Sequence, residues 1–324
     1  MCTAISIGGA RHLFGRTLDL EYSYGESVVI SPEKFPFSFL YEDTVDSHPA
    51  IIGTAHVFDG CPLYYDAVNS AGLCAAALNF PFKAVYCAQR EASINLASFE
   101  IIPYILCKCN SVSDAKKLFR RINIVKDSFH HSLPTTPLHW IFSDNTESIV
   151  VEPMADGLHV REDPFGVMTN SPELDYHVYR LSELGGLSPS DKQNEICKNA
   201  SLPVLSRGLG GVGLPGDHSS SSRFIRAVFA KNFTEPLEER RGEISSFFHV
   251  MDTVGVPNGC VLTNEGLPVR TIYTSCIDAS ELVYYFTTYS CRRIRAIKLG
   301  VKNCIGSALI FFPMEITEDI LELN

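Results

Sequence analysis

Residues 1–20 read MCTAISIGGARHLFGRTLDL, and two runs within them set the reading of the chain. Cys2 to Ile7 predicts a short strand, and Phe14-Gly15-Arg16-Thr17-Leu18-Asp19 can return beside it as a hairpin partner. Such a hairpin brings Arg16 and Asp19 close to Cys2. An arginine beside sulfur favours the thiolate, and a carboxylate can hold a protonated amine or orient the thiol. The plainer alternative for Arg16 and Asp19 is an exposed ion pair, which contributes little.

Position 2 gives the hairpin chemical interest. A small residue there normally permits removal of the initiator methionine, and loss of Met1 leaves an amine and a thiol on one residue, Cys2. With reference pKa values of about 7.7 to 8.0 for the amine and about 8.5 for the thiol, the amine can accept the thiol proton directly or through one water. Retention of Met1 would block the amine and favour a non-catalytic, amphiphile-binding protein instead.

Further along, Ser27 to Ser31, Ile51 to Val57, Leu63 to Val68 and Leu73 to Phe80 read as strands separated by Gly, Pro, Asp or Ser. Ser98 to Cys107 and Ser113 to Ile122 read as tandem helices. Leu138 to Ser143, Ser148 to Glu152 and Gly166 to Thr169 return to strand character. Leu174 to Leu184, Asp191 to Asn199, Ser222 to Lys231 and Glu243 to Thr253 read as helices, and Thr271 to Ile277, Leu282 to Thr288 and Ile294 to Gly300 as paired strands. Blocks of strands and helices without βα alternation predict an α+β fold with antiparallel sheets. No linker or repeat divides residues 1–324, so one domain is expected.

Composition narrows the function classes. Of 324 residues 45% are hydrophobic, enough for a sizeable core, and the formal charge is -10 with only isolated basic pairs such as Arg120-Arg121 and Arg292-Arg293, which excludes a nucleic-acid track. No apolar run is long enough for a membrane span and no secretory signal pattern opens the chain, so a cytoplasmic location is expected. The 11 cysteines are scattered singly and read as buried hydrophobes. Cys107-Lys108-Cys109 has no nearby histidine, and neither a metal nor a cofactor is expected.

Three motifs invite other chemistry and do not support it. Gly208-Leu209-Gly210-Gly211-Val212-Gly213 matches the dinucleotide-binding string, but Leu214-Pro215-Gly216-Asp217 cannot open the helix that motif requires. It reads as a loop over the active site. His139, beside Trp140 in an apolar strand, reads as a hydrogen-bonded core residue rather than a base. Paired-carboxylate hydrolysis is unsupported, since Glu21, Glu42, Asp43 and the pair Glu238-Glu239 look solvated.

The chain resembles the choloylglycine hydrolase family of bile salt hydrolases and penicillin V acylases, within the N-terminal nucleophile hydrolases. The resemblance rests on Met1-Cys2-Thr3-Ala4, Phe14 to Asp19, Leu78-Asn79-Phe80-Pro81, Pro137-Leu138-His139-Trp140, Met168-Thr169-Asn170-Ser171-Pro172, Leu214-Pro215-Gly216-Asp217 and Ser222-Arg223-Phe224. It implies a four-layer αββα sandwich and Cys2 as nucleophile, with Arg16, Asp19, Asn79, Asn170 and Arg223 around it. The implied substrates are glycine- or taurine-conjugated bile acids, with Leu18, Phe58 and Leu133 lining the sterol pocket and Gly211, Val212 and Gly213 shaping conjugate choice. A homotetramer is implied as well. Penicillin V acylase is the rival reading, against which Asn79 counts, because penicillin-preferring members more often have tyrosine there.

Physical roles for these residues stand beside the resemblance. Attack of sulfur on an amide carbonyl puts negative charge on oxygen, and Asn79 and Asn170, each before a proline-containing turn, are candidate donors. Arg223 falls in the first turn of an expected helix, where a cation opposes the macrodipole, so a compensating anion, Asp217 or Asp19, is expected. Arg16 and the Gly208 to Gly213 loop are candidates to meet the acid group of the leaving amino acid.

Overall fold

The computed structural model describes residues 1–191, 197, 199–200, 202–235, 237, 239–314 and 316–324. Among them the strands are β1 (Cys2–Ile7), β2 (Leu13–Leu20), β3 (Ser27–Ser31), β4 (Ile51–Phe58), β5 (Cys61–Asn69), β6 (Cys74–Asn79), β7 (Ile94–Ala97), β8 (Ile122–Val125), β9 (Leu138–Ser143), β10 (Ser148–Met154), β11 (Gly157–Glu162), β12 (Val167–Met168), β13 (Val261–Leu262), β14 (Pro268–Asp278), β15 (Val283–Thr288), β16 (Cys291–Lys298) and β17 (Ile310–Pro313). The helices are α1 (Ile101–Lys108), α2 (Val112–Phe119), α3 (Leu174–Ser182), α4 (Ser220–Phe233), α5 (Arg240–Asp252) and α6 (Val301–Cys304).

Two antiparallel sheets stack face to face. One runs β12-β1-β2-β14-β15-β16 with β13 added on β14, and the other runs β11-β10-β9-β6-β5-β4-β3-β17. Helices α4 and α5 cover the first sheet over β1, β2, β12 and β14, while α1 and α2 cover the second over β5, β6 and β9. The order of layers is therefore αββα, as expected. Strands β1 and β2 are buried along nearly their whole length because a helix layer lies on one face and a sheet on the other. At the far edge, β16 carries exposed charge at Arg292, Arg293 and Lys298, which keeps an open ladder from recruiting another strand.

Local chemistry explains the helix starts. Ser111 accepts a hydrogen bond from Asp114 N at 3.2 Å and opens α2, and Ser219 accepts one from Ser222 N at 3.4 Å and opens α4. The α4 start lies two residues before the expected Ser222. Ile122 departs from expectation more sharply: it ends the helical spacing of α2 on paper but begins β8, which pairs in parallel with β7. Ile122 falls three residues after Phe119, a spacing that fits the helix period by coincidence. The helix expected over Asp191 to Asn199 lies largely outside the described residues.

Candidate active site

The β1–β2 ladder sets the geometry. Cys2 faces Leu18 and Ala4 faces Arg16 across it, so the side chains of Cys2, Leu18 and Arg16 share one face. That face looks into the space between the sheets. Gly15 allows β2 to lie this close to β14, since a Cβ there would stand 2.0 Å from the Ser275 carbonyl oxygen. Arg16 is fully buried and reaches across to the second sheet, where Nη1 donates to Tyr65 O at 3.1 Å and Ala77 O at 2.7 Å. Its Nε donates to Thr17 O, and Nη2 points at Cys2 Sγ, 2.7 Å away. Burial alone pulls the guanidinium down, but the Cys2 thiol, Tyr273, Asp66 and Asp19 outweigh it and hold Arg16 above its usual value, so it stays charged.

The opposite face of the ladder lies under α4. Arg223, fully buried, donates through Nη1 to Cys2 O and to Thr3 Oγ1, through Nη2 to Asn170 Oδ1 at 2.8 Å, and through Nε to His218 O at 3.0 Å. Burial lowers its pKa, with Asp19 and Cys2 opposing that trend. The expected compensating anion does not ion-pair with it. Asp217 instead accepts from Ser219 N at 2.9 Å and Ser222 Oγ at 2.6 Å at the start of α4, and Asp19 is engaged by Thr17 Oγ1 at 3.1 Å and Thr271 Oγ1 at 2.7 Å. Neutral oxygens supply the hydrogen bonds of the guanidinium, while Asp19, one of the two expected anions, acts on it through charge without ion-pair contact.

Asn170 closes the cluster from β12. Its Oδ1 accepts from Cys2 N at 2.8 Å, and its Nδ2 donates to Asn79 O at 2.8 Å. The oxygen and one of the two N–H groups of that amide are therefore spent on orientation, which leaves a second N–H for the oxyanion role expected of Asn170. The Asn79 side chain at the end of β6 is differently placed, with Oδ1 buried and unpartnered among the described residues. Asn170 is itself clamped: Ser220 Oγ donates to Asn170 O at 2.7 Å and accepts from Asn170 N at 2.8 Å, while His177 Nε2 donates to the same carbonyl at 2.9 Å. His139 is buried and its Nε2 donates to Thr169 O at 2.8 Å, the core role expected of it.

Met1 is present and extends the ladder, its terminal amine donating to Asp19 O at 2.6 Å and its carbonyl accepting from Asp19 N at 2.9 Å. Cys2 N is thus a peptide nitrogen standing where the amine would be after Met1 leaves. It already points at Asn170.

The remaining expected residues divide. Leu18 is buried directly opposite Cys2, whereas Phe58 and Leu133 meet around His130, whose ring lies 4.9 Å from that of Phe58 and whose carbonyl accepts from Leu133 N at 2.9 Å. Gly211 ends a 3-10 turn over Leu209–Gly211, and Val212 beside it is 75% exposed. Arg16 cannot meet the acid group of a leaving amino acid, because it is sealed from solvent with its N–H groups already directed at Cys2 and three carbonyls. Sequence reasoning missed Thr3, Thr17, Thr271, His177 and Ser220, all common residue types whose role depends on what they meet across the fold. It also missed Asp66, buried on β5 and accepting from the hydroxyls of Tyr273, Ser275 and Tyr284.

Known proteins resemble this chain in sequence and fold. Residues 2–312 match the family described as linear amide C–N hydrolases, choloylglycine hydrolase family. A bile salt hydrolase/transferase of Lactiplantibacillus plantarum is 40% identical over 97% of both chains. The crystal structure of a mutant conjugated bile acid hydrolase from Clostridium perfringens superposes with a TM-score of 0.92 at 32% identity, covering 100% of both chains. A penicillin V acylase from Agrobacterium tumefaciens, at 22% identity, shares the fold with a TM-score of 0.75 over 95% of this chain and 90% of its own. From the geometry around Cys2 and these matches together, the chain belongs to the choloylglycine hydrolase family and is an amidohydrolase.

Proposed function

We propose that the chain, once Met1 is removed, hydrolyses the amide joining a bile acid to glycine or taurine through a thioester on Cys2. The observation that carries this reading is Arg16 Nη2 standing 2.7 Å from Cys2 Sγ while Asn170 Oδ1 holds Cys2 N at 2.8 Å. One cation thereby favours the thiolate, and one acceptor leaves the amine lone pair free to take the thiol proton. Sulfur attacks the amide carbonyl, and the Asn79 side-chain amide is the candidate donor to the oxyanion. The amine then returns the proton to the departing nitrogen, and water cleaves the thioester. Arg223 and Asn170 fix the Cys2 main chain through Cys2 O and Cys2 N. Asp19, whose main chain pairs with Met1, holds the new terminus.

In this reading Leu18, Phe58 and Leu133 receive the sterol, and the loop at Gly211, Val212 and Gly213 bears on the choice between conjugates. Residues 1–324 act as one catalytic domain, in a cytoplasmic homotetramer. Bile acid conjugates are favoured over penicillin V by Asn79 and by the names of the relatives at 32–40% identity.

Purified protein, with loss of Met1 checked by intact mass, should release free taurine from taurocholate or glycine from glycocholate. A strong preference for penicillin V, or turnover undiminished in chains that retain Met1, would overturn the reading.

A further inference from the structure

Asp66 lies at the centre of the sandwich, fully buried, with three hydroxyls turned toward it and no cation within ion-pair distance among the described residues. Tyr273 OH donates to Oδ1, while Ser275 Oγ and Tyr284 OH donate to Oδ2 at 2.9 and 2.7 Å. Burial raises the Asp66 pKa, while the Arg16 charge and the three converging hydroxyl donors oppose that shift and suit the ionised form. Ser275 Oγ also accepts from Arg16 N at 3.1 Å, so one hydroxyl separates Asp66 from the Arg16 main chain. The Arg16 guanidinium is held by neutral carbonyls and by Cys2 Sγ, with no carboxylate in ion-pair contact among the described residues.

We propose that Asp66 is a positioning residue that acts through Arg16: its negative charge offsets the guanidinium and thereby sets the pH at which the Cys2 thiol ionises. The inference rests on Cys2 being the nucleophile. Two opposite charges bear on the thiol. Arg16, in contact, favours the thiolate, and Asp66, whose charge acts on Arg16, weakens that pull. An uncompensated arginine would give a more acidic thiol but a poorer nucleophile, because intrinsic reactivity falls with thiol pKa. The groups acting on Cys2 are Arg16 of β2, Tyr65 of β5 and Arg223 of α4, with Asp19 of β2 acting on both arginines. Those facing Asp66 are Arg16, Tyr273 of β14, Tyr284 of β15 and Cys74 of β6. No other cation is in a position to neutralise Asp66 among these.

The test needs no bile acid, so its failure is separable from failure of the proposed substrate. In Asp66→Asn, which keeps the shape but not the charge, the rate of Cys2 alkylation by iodoacetamide is followed against pH through the mass of the N-terminal peptide. The midpoint should fall by on the order of one pH unit, and the plateau rate at high pH should drop roughly threefold. A lowered melting temperature with an unmoved midpoint would reduce Asp66 to a structural role and overturn the proposal, as would an upward shift. If the variant does not fold, the coupling is read reciprocally in unmodified protein by carboxyl carbon NMR. Alkylating Cys2 should then shift the resonance of one buried aspartate, and no such shift would also overturn it.

Discussion

The two ends of the β1–β2 hairpin bury polar groups on the same pair of strands and resolve them in opposite ways. At the Cys2 end, Arg16 and Arg223 are both fully buried, and their N–H groups converge on the sulfur, the carbonyl and the neighbours of a single residue. At the Ser6 end, His12 sits 3.1 Å from both Ser6 Oγ and Ser143 Oγ, its Nδ1 unpartnered among the described residues. Burial pushes that imidazole down to about 4, despite Asp144 and Asp278 opposing the shift, so it is neutral at physiological pH. Burial is common to the two ends. What marks the first as reactive is charge retained in the interior and aimed at a nucleophile; the second discharges its titratable group and is left with packing and hydroxyl contacts.

The sharpest way to break the comparison is to remove the atom on which one end converges. Cys2→Ser should lower kcat for amide hydrolysis by at least about 1,000-fold with an unchanged melting temperature. Activity within tenfold of the parent would mean that the convergence on sulfur has no catalytic meaning.

The other end should answer in stability instead. Between its folded value of about 4 and its unfolded value of 6.5, His12 binds a proton in the unfolded chain but not in the native one. Stability should therefore be fully present above the unfolded value and be lost as pH falls through that window, by about 3 kcal/mol in all. His12→Gln keeps a polar side chain and cannot titrate. Urea melts at pH 7 and pH 4 should show the parent losing about 3 kcal/mol more than the variant, with activity near neutral pH little changed. Asp163, pushed up to about 6 by burial, runs the other way and is common to both proteins, so only the difference isolates His12. Equal losses in parent and variant would remove the claim that this end excludes charge.

A smaller effect tests the support of the reactive end. Ser220→Ala removes both hydroxyl contacts to the Asn170 main chain, and kcat should fall about tenfold with KM nearly constant, since about 1 to 1.5 kcal/mol of hydrogen bonding is lost. A change confined to KM would assign Ser220 to substrate binding instead.

Legibility followed the range of the interaction. The hairpin of residues 2–20 was readable because neighbouring strands meet through local alternation, and it put Arg16 within reach of Cys2, as found. For Arg223 the sequence predicted a helix start and an anion. The helix is there, but three of the partners, Cys2 O, Thr3 and Asn170, lie far along the chain, and only His218 O, in the loop before the helix, is local. Asn170 shows the same limit, because its position before Ser171-Pro172 fitted a donor while only the meeting of β12, β1 and β6 makes it an acceptor for Cys2 N and a donor to Asn79 O.

By itself the sequence determined the α+β class, the family through its ordered motifs, and the pairing that sets Arg16 beside Cys2. Each of these depends on side-chain alternation or on residues close along the chain. Tertiary structure decided which way the charges point: that Arg16 is sealed between the sheets and cannot meet a leaving group, that Arg223 is held by carbonyls, and that Asp66 is buried under three hydroxyls. The physical reason is that a buried charge must find its partners wherever the layers bring them, and those partners come from strands more than 200 residues apart that no local pattern connects.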